Sequence, residues 1–417
     1  MALENGYSAG LQTNLTENGD VDLEVERNSS YDNIAESKDV SEGVFVKDKW
    51  HRCRGGLIKL PIMLTWLTIG IIIGAAFTQA PATSKQTQEA ECDEHMEHSY
   101  ELEMCFEHDD GPVLATKVKF SGVNFLVVGD WGRNGHCCQR DVAHEMAKTS
   151  KALMTNFTIS TGDNFYSKGI TDKDSEQIDS SWARVYDKED LLDKPWYGVL
   201  GNHDYKGDPL AQLGIDPIKY PAWKIRTLSY SKTFSDDQGE LVDIVFIDTS
   251  PLLKEYYDDD EMNIQATSNS VEQAREKIIS FLNEELNNSK GVWKIVVGHH
   301  PIFTVGEHFG EDGDHFLENT LAPIFEEHNV SVYFSGHDHN LQHITKKNVN
   351  YIVSGAGSKI RPKAENKYNA TKDEPIPRFH AGHQGFASVS ISRSELMIQF
   401  LDLRGTWLYT KIIEMRE

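Results

Sequence analysis

From Val123 to the C-terminus, short apolar runs alternate with longer stretches of helical period. Val123–Val128 is almost uniformly apolar and stops at Gly129, as a strand covered on both faces does. Behind it, Val142, Met146 and Leu153 fall on one stripe of a helix. Similar runs over 154–160, 196–200, 241–247, 292–297, 332–335 and 351–353 predict further strands, most of them ending at or beside a glycine. Ser270 and Gln273 form a capping box for a helix with the apolar stripe Ala274, Ile278, Phe281 and Leu282; Asn287, Asn288 and Gly291 end it. A shorter helix covers 321–325. The stretch 386–413 reads as two or three antiparallel strands that turn at Ser392–Glu395 and at Arg404-Gly405. Strands alternate with helices early and a meander closes the chain, so the expected class is α/β with mixed sheets. Such sheets gather ligands at the C-terminal ends of their strands.

Upstream the pattern changes. Residues 1–59 are polar and acidic at first, then basic, and read as a disordered cytosolic tail. Residues 60–80 form an apolar run of bilayer length, and Lys47, Lys49, Arg52, Arg54 and Lys59 precede it. The positive-inside rule makes this a signal anchor: one transmembrane helix of a single-pass type II membrane protein, with everything after it luminal or extracellular. Cleavage near Thr78-Gln79-Ala80, giving a secreted protein, is the alternative; the long basic region before the run argues against it. Residues 81–117 are an acidic linker, and 118–417 form the globular domain. The linker holds Cys92-x-x-His95 and Cys105-x-x-His108, which resemble zinc ligand pairs. In an oxidising compartment a Cys92–Cys105 disulfide is favoured, although Cys137 and Cys138 leave three pairings open. Sequons at Asn156, Asn287, Asn329 and Asn369 fit a glycoprotein. Tyr31-Asp32-Asn33-Ile34 has the spacing of a tyrosine-based sorting signal and would engage a sorting adaptor. The formal charge of -24 argues against nucleic acid binding.

The candidate chemistry sits at five strand ends: Gly129-Asp130-Trp131-Gly132, Gly162-Asp163-Asn164-Phe165-Tyr166, Gly201-Asn202-His203-Asp204, Gly298-His299-His300-Pro301 and Gly336-His337-Asp338-His339. Each alone is a polar turn. Together they offer seven donors: Asp130, Asp163, Tyr166, Asn202, His299, His337 and His339. That is enough for two metals with one shared ligand, and a carboxylate has an oxygen for each ion. Anionic oxygens and a phenol favour a hard, highly charged ion, whereas amide oxygen and imidazoles suit a divalent one. A free phenol ionises at about 10, so only a strongly polarising ion would hold Tyr166 deprotonated in acid.

In this order the motifs resemble the purple acid phosphatases. They are most similar to the small, tartrate-resistant (type 5-like) group of the calcineurin-like metallophosphoesterases, from about Val118 to Arg404. Asp248-Thr249 and Ser354-Gly355-Ala356-Gly357 fit the same pattern. Tyr166 discriminates best, because calcineurin-like enzymes outside the purple group typically lack it. The resemblance implies a two-sheet α/β/β/α metallophosphoesterase sandwich. It implies Fe(III) on Asp130, Tyr166 and His339, a divalent iron, zinc or manganese on Asn202, His299 and His337, and Asp163 as the bridge. His203 and His308 become the substrate-side catalytic histidines. The implied activity is that of an acid phosphatase, hydrolysing phosphate monoesters by attack of a metal-bound hydroxide. A phosphodiesterase on the same metals, and an iron-redox protein generating reactive oxygen, are the alternatives. Two departures stand out: His300, where the small enzymes often carry an aromatic residue, and the vicinal Cys137-Cys138. The acidic run Tyr256 to Glu261 occupies the region of a mobile lid in animal members, so an inhibitory lid competes with a plain solvated charge run.

Overall fold

The computed structural model describes residues 122–415, apart from 189, 311–313, 366–367 and 369–373. It also describes two short upstream pairings, Asn14–Leu15 with Val21–Asp22 and Phe106–His108 with Gly111–Val113. The chain divides into two compact units, Met1–Cys92 and Asp93–Glu417, and the sheets below belong to the second. The apolar run 60–80, the Tyr31–Ile34 signal, Cys92, Cys105 and Asn369 lie outside the described residues. Among the described residues no helix is long and apolar enough to cross a membrane.

In chain order the elements are β1 (Val123–Val128), α1 (Gln139–Leu153), β2 (Phe157–Ser160), β3 (Trp196–Gly198), β4 (Tyr230–Asp236), β5 (Gly239–Phe246), α2 (Val271–Asn288) and β6 (Trp293–Val297). Then come α3 (Ala322–Glu327), β7 (Val332–Ser335), β8 (Leu341–Lys346), β9 (Val349–Ser354), β10 (Ile376–Ala381), β11 (Gly385–Ile391), β12 (Glu395–Asp402) and β13 (Trp407–Glu414). Two sheets result, a six-stranded one in the order β13-β12-β11-β1-β2-β3 and a seven-stranded one in the order β10-β8-β9-β7-β6-β5-β4. The strands that lead to the metal motifs run parallel within each sheet, β1 with β2 and β2 with β3, and β6 with β7.

Strand β1 explains the layering. Its alternate residues Phe125 and Val127 join Phe157, Ile159, Ile244, Phe246, Val297 and Phe334 in the core between the sheets. Leu126 and Val128 pack on the opposite side with Val142 and Met146 of α1. The second sheet repeats the plan: Val245, Val296 and Tyr333 meet Ile278, Leu282 and Phe325 of the helices. A strand covered on both faces has no polar side to show, hence its near-continuous apolar sequence. The Phe125 ring stacks on Phe157 at 4.8 Å; such fully buried side chains each contribute roughly 1.5–3 kcal/mol.

Several boundaries differ from the pattern-based expectation. Met154 is left-handed (φ 51) and closes α1, so β2 begins only at Phe157. Strands β4, β8 and β10 are absent from the apolar reading. β4 and β10 are edges and carry polar, partly exposed residues, while β8 buries Gln342 and His343 through side-chain hydrogen bonds. The box at α2 holds at one end, Ser270 Oγ accepting from Gln273 N at 3.3 Å. The Gln273 side chain reaches Asn269 N instead of the N-cap amide.

Candidate metal centre

All five motifs follow strands, and the packing of the two sheets brings their side chains together. Asp130, Asp163 and His337 sit at φ 60, 52 and 66, left-handed conformations that side chains other than glycine seldom adopt. Two glycines permit the convergence. A Cβ on Gly201 would stand 2.2 Å from Asp163 Oδ1, and one on Gly336 would stand 2.5 Å from Asp130 Oδ2.

The Tyr166 hydroxyl lies 2.9 Å from Asp130 Oδ1, 2.6 Å from Asp163 Oδ2 and 3.0 Å from His339 Nε2. A second cluster adjoins it. Asn202 Oδ1 is 3.1 Å from both His299 Nε2 and His337 Nδ1, and those two nitrogens are 3.2 Å apart. Asp163 touches both groups, with Oδ1 3.5 Å from His299 Nε2. His203 donates its backbone N–H to Asp163 Oδ1 at 2.8 Å, and its Nδ1–H donates to Ser167 O at 2.6 Å. The His308 ring lies against His337, with centroids 4.0 Å apart. All nine predicted site residues therefore fall in one neighbourhood.

Residues that touch no metal hold this arrangement. Asp204, buried, accepts from Gly201, Asn164 and Phe165 N–H at 2.8, 3.0 and 3.1 Å, so one carboxylate clamps two motif loops. Asp338 does the same beyond β7: Oδ1 accepts from His308 N at 3.2 Å, and Thr304 Oγ1 donates to Oδ2. Trp131 is buried among Phe165, Tyr186 and Trp196 and donates to Ser160 Oγ at 2.8 Å. His299 Nδ1–H donates to Thr161 O at 2.8 Å, which leaves the Nε2 lone pair facing the cluster. The Arg133 guanidinium lies 3.5 Å over the centre of the Tyr166 ring. Sequence reading missed the roles of Arg133, Thr161 and Asp204; only the aspartates within two motifs, Asp204 in the fourth position and Asp338 in the third, hinted at clamps.

At position 300, where the resemblance led to the expectation of an aromatic residue, a histidine is built into the wall of the site. Buried His300 lies 2.8 Å from Thr249 Oγ1 and 2.9 Å from Tyr256 Oη. Thr249 Oγ1 already accepts two backbone N–H groups, so its hydrogen goes to His300 Nδ1. Burial, reinforced by His337 and His299, holds His300 neutral, well below the usual range. Tyr256 begins the acidic run, and Glu261 ends it in ion pairs with Lys206 at 3.3 Å and Lys168 at 3.5 Å. Asp258, Asp259 and Asp260 between them are exposed. Cys137 and Cys138 are free thiols at the start of α1.

Electrostatics favour a cation among these donors. Burial would push the Asp163 carboxyl up, but His299 and His203 with the Tyr166 hydroxyl hold it well below the usual carboxylate range. Burial and the carboxylates of Asp130 and Asp163 keep the Tyr166 phenol protonated far above its ordinary value. The single phenolic hydrogen cannot serve Asp130, Asp163 and His339 at once, so a cation among these atoms would satisfy the acceptors left over. The ligand atoms of Asp130, Asp163 and His299 lie within 4.8 Å of one another, as do those of His299, His300 and His337. The donor set fits two metals: hard oxygens with His339 on one side, neutral nitrogens with an amide oxygen on the other.

Two sheets with a metal-binding cluster at their strand ends define a calcineurin-like phosphoesterase, and residues 123–341 match the model of that family. Purple acid phosphatase 4 of Arabidopsis thaliana is 37% identical over 295 residues, covering 69% of this chain and 82% of the relative. Tartrate-resistant acid phosphatase type 5 of Homo sapiens is 31% identical over 299 residues, 69% of this chain and 89% of the relative. The chain belongs to the purple acid phosphatases, and its activity is that of an acid phosphatase with a dinuclear metal centre. The fold is also that of GAP50, described as the anchor in the inner membrane complex of Plasmodium. That structure has a TM-score of 0.59 at 24% identity, covering 71% of this chain and 90% of that one.

Proposed function

We propose that the chain hydrolyses phosphate monoesters in acid, with Fe(III) on Asp130, Tyr166 and His339 and a divalent iron, zinc or manganese on Asn202, His299 and His337. Asp163, which touches both clusters, would be shared between the two ions. One observation carries this reading: the Tyr166 hydroxyl stands within 3.0 Å of donor atoms of Asp130, Asp163 and His339. When bound, such a pair of cations neutralises phosphate charge and makes water a competent nucleophile in acid. The chain supplies the rest. His299 is held in one tautomer by Thr161, and Asp204 and Asp338 keep the loops in register. His203 is anchored through its Nδ1–H to Ser167, which leaves Nε2 to carry a proton to the departing alkoxide.

The test is a visible spectrum with metal analysis, alongside rates on a nitrophenyl phosphate and its bis ester. A purple band, one or two irons per chain according to the divalent partner, and preference for the monoester are expected. A colourless, iron-free, active protein refutes the metal assignment, and preference for the diester refutes the substrate.

The same proposal places the catalytic domain in the lumen or outside the cell, on a single-pass anchor at 60–80 or secreted after cleavage. The basic flank supports the anchor, and Asn156, Asn287 and Asn329 are all exposed as glycan acceptors must be. A sorting adaptor at Tyr31–Ile34 belongs to the same arrangement. Glycosidase digestion and protease protection test it: an unglycosylated, cytosolic domain refutes it.

A further inference from the structure

The positive charge beside His308 comes from a residue that no motif contains. Arg361 Nη1 lies 2.8 Å from His308 Nε2. A guanidinium has no lone pair to offer, so His308 accepts and Arg361 is the cation. The loop that carries Arg361 is held in place. Its backbone N–H donates to His339 O at 2.9 Å, and Pro362 packs on Gly382, where a Cβ would stand 2.5 Å from the ring. The side chain thus reaches from the His337–His339 turn across His308, whose ring in turn covers His337.

The guanidinium remains available. Its second partner, Glu307, is 3.5 Å away, and the two side chains are 34% and 41% exposed. Water screens such a pair, so a better acceptor displaces it. The fork of N–H donors matches two oxygens of a carboxylate or phosphate, a geometry that a lysine cannot copy. Exposed Lys359 and Lys363 flank it, Lys363 being paired to Glu365 at 2.6 Å. In a chain of charge -24, this short basic lip at the site is unusual.

We propose that Arg361 selects phosphate monoesters and anhydrides whose leaving group is or bears a second anion, a carboxylate or another phosphate, which the guanidinium fork binds while the phosphoryl group to be released occupies the metal centre. The proposal rests on the phosphatase reading above.

The test compares kcat/KM of the metal-loaded protein on four substrates: phosphoglycolate and pyrophosphate, which carry a second anion, and β-glycerophosphate and phenyl phosphate, which do not. Arg361→Gln should lower kcat/KM on the order of 10- to 100-fold for the first two, mostly through KM, and only about 2- to 3-fold for the others. Arg361→Lys should recover part of the loss. Loss on phosphoglycolate alone assigns the site to carboxylates, and loss on pyrophosphate alone assigns it to phosphates. Metal content and the visible band should stay unchanged, which separates selection from collapse of the site. An equal loss on all four substrates, or none, overturns the proposal. Failure of the metal-loaded wild type to hydrolyse any of the four overturns the phosphatase reading and this proposal with it.

Discussion

Asp248 is a buried carboxyl that takes no part in the metal cluster, and it makes the fold more stable in acid. It follows the end of β5 and accepts a hydrogen bond from the buried Tyr205 hydroxyl at Oδ2. Burial pushes its pKa up to about 7; the hydrogen bonds from Tyr205 and the Ser250 backbone only partly offset this. In the unfolded chain an aspartate ionises at about 3.9. Between those two values the folded protein holds a proton that the unfolded chain has released. Stability from this group is therefore fully present below about pH 4 and is lost as pH rises through about 7. At about 1.36 kcal/mol for each pH unit over roughly three units, the difference is about 4 kcal/mol. Asp248→Asn removes the ionisation while keeping an oxygen for Tyr205. Urea unfolding of the metal-free wild type and variant should show the variant gaining about 4 kcal/mol relative to wild type between pH 4 and pH 7. Parallel pH profiles for the two proteins would refute the reasoning.

Arg133 lies 3.5 Å over the Tyr166 ring and lowers the energy of its electrons; Arg133→Gln should move the purple band to longer wavelength, on the order of 10 nm, and an unmoved band would refute a direct effect. Gly201→Ala places a Cβ 2.2 Å from Asp163 Oδ1; bound metal and activity should fall together by more than about tenfold, while circular dichroism stays native. Because Glu261 is tied to Lys206 and Lys168 and Asp258–Asp260 face solvent, protease nicking within 255–265 should leave kcat within about twofold. A large rise in kcat on nicking would identify the run as an inhibitory lid.

The sequence alone determined the set of candidate donors. A ligand at a strand end is announced by local chemistry, an apolar run stopped by glycine and followed at once by Asp, Asn or His. Five such donors in order, with Tyr166 and His339 close behind two of them, implied the metal centre, and Tyr166 singled out the family. Most inner strands were legible for the same reason, since burial on both faces leaves mainly apolar residues; β8, which buries Gln342 and His343 in hydrogen bonds, was not. The edges β4 and β10 were not, because exposure lets their residues vary between polar and apolar. The tertiary structure alone decided the rest. Arg361 meets His308 across 53 positions of sequence, and Asp204 is 40 residues from Asn164, whose N–H it holds. Asp248 becomes a weak acid only because helices and sheets exclude water around it. Distance and dielectric arise from segments remote in sequence, and no pattern along the chain encodes them.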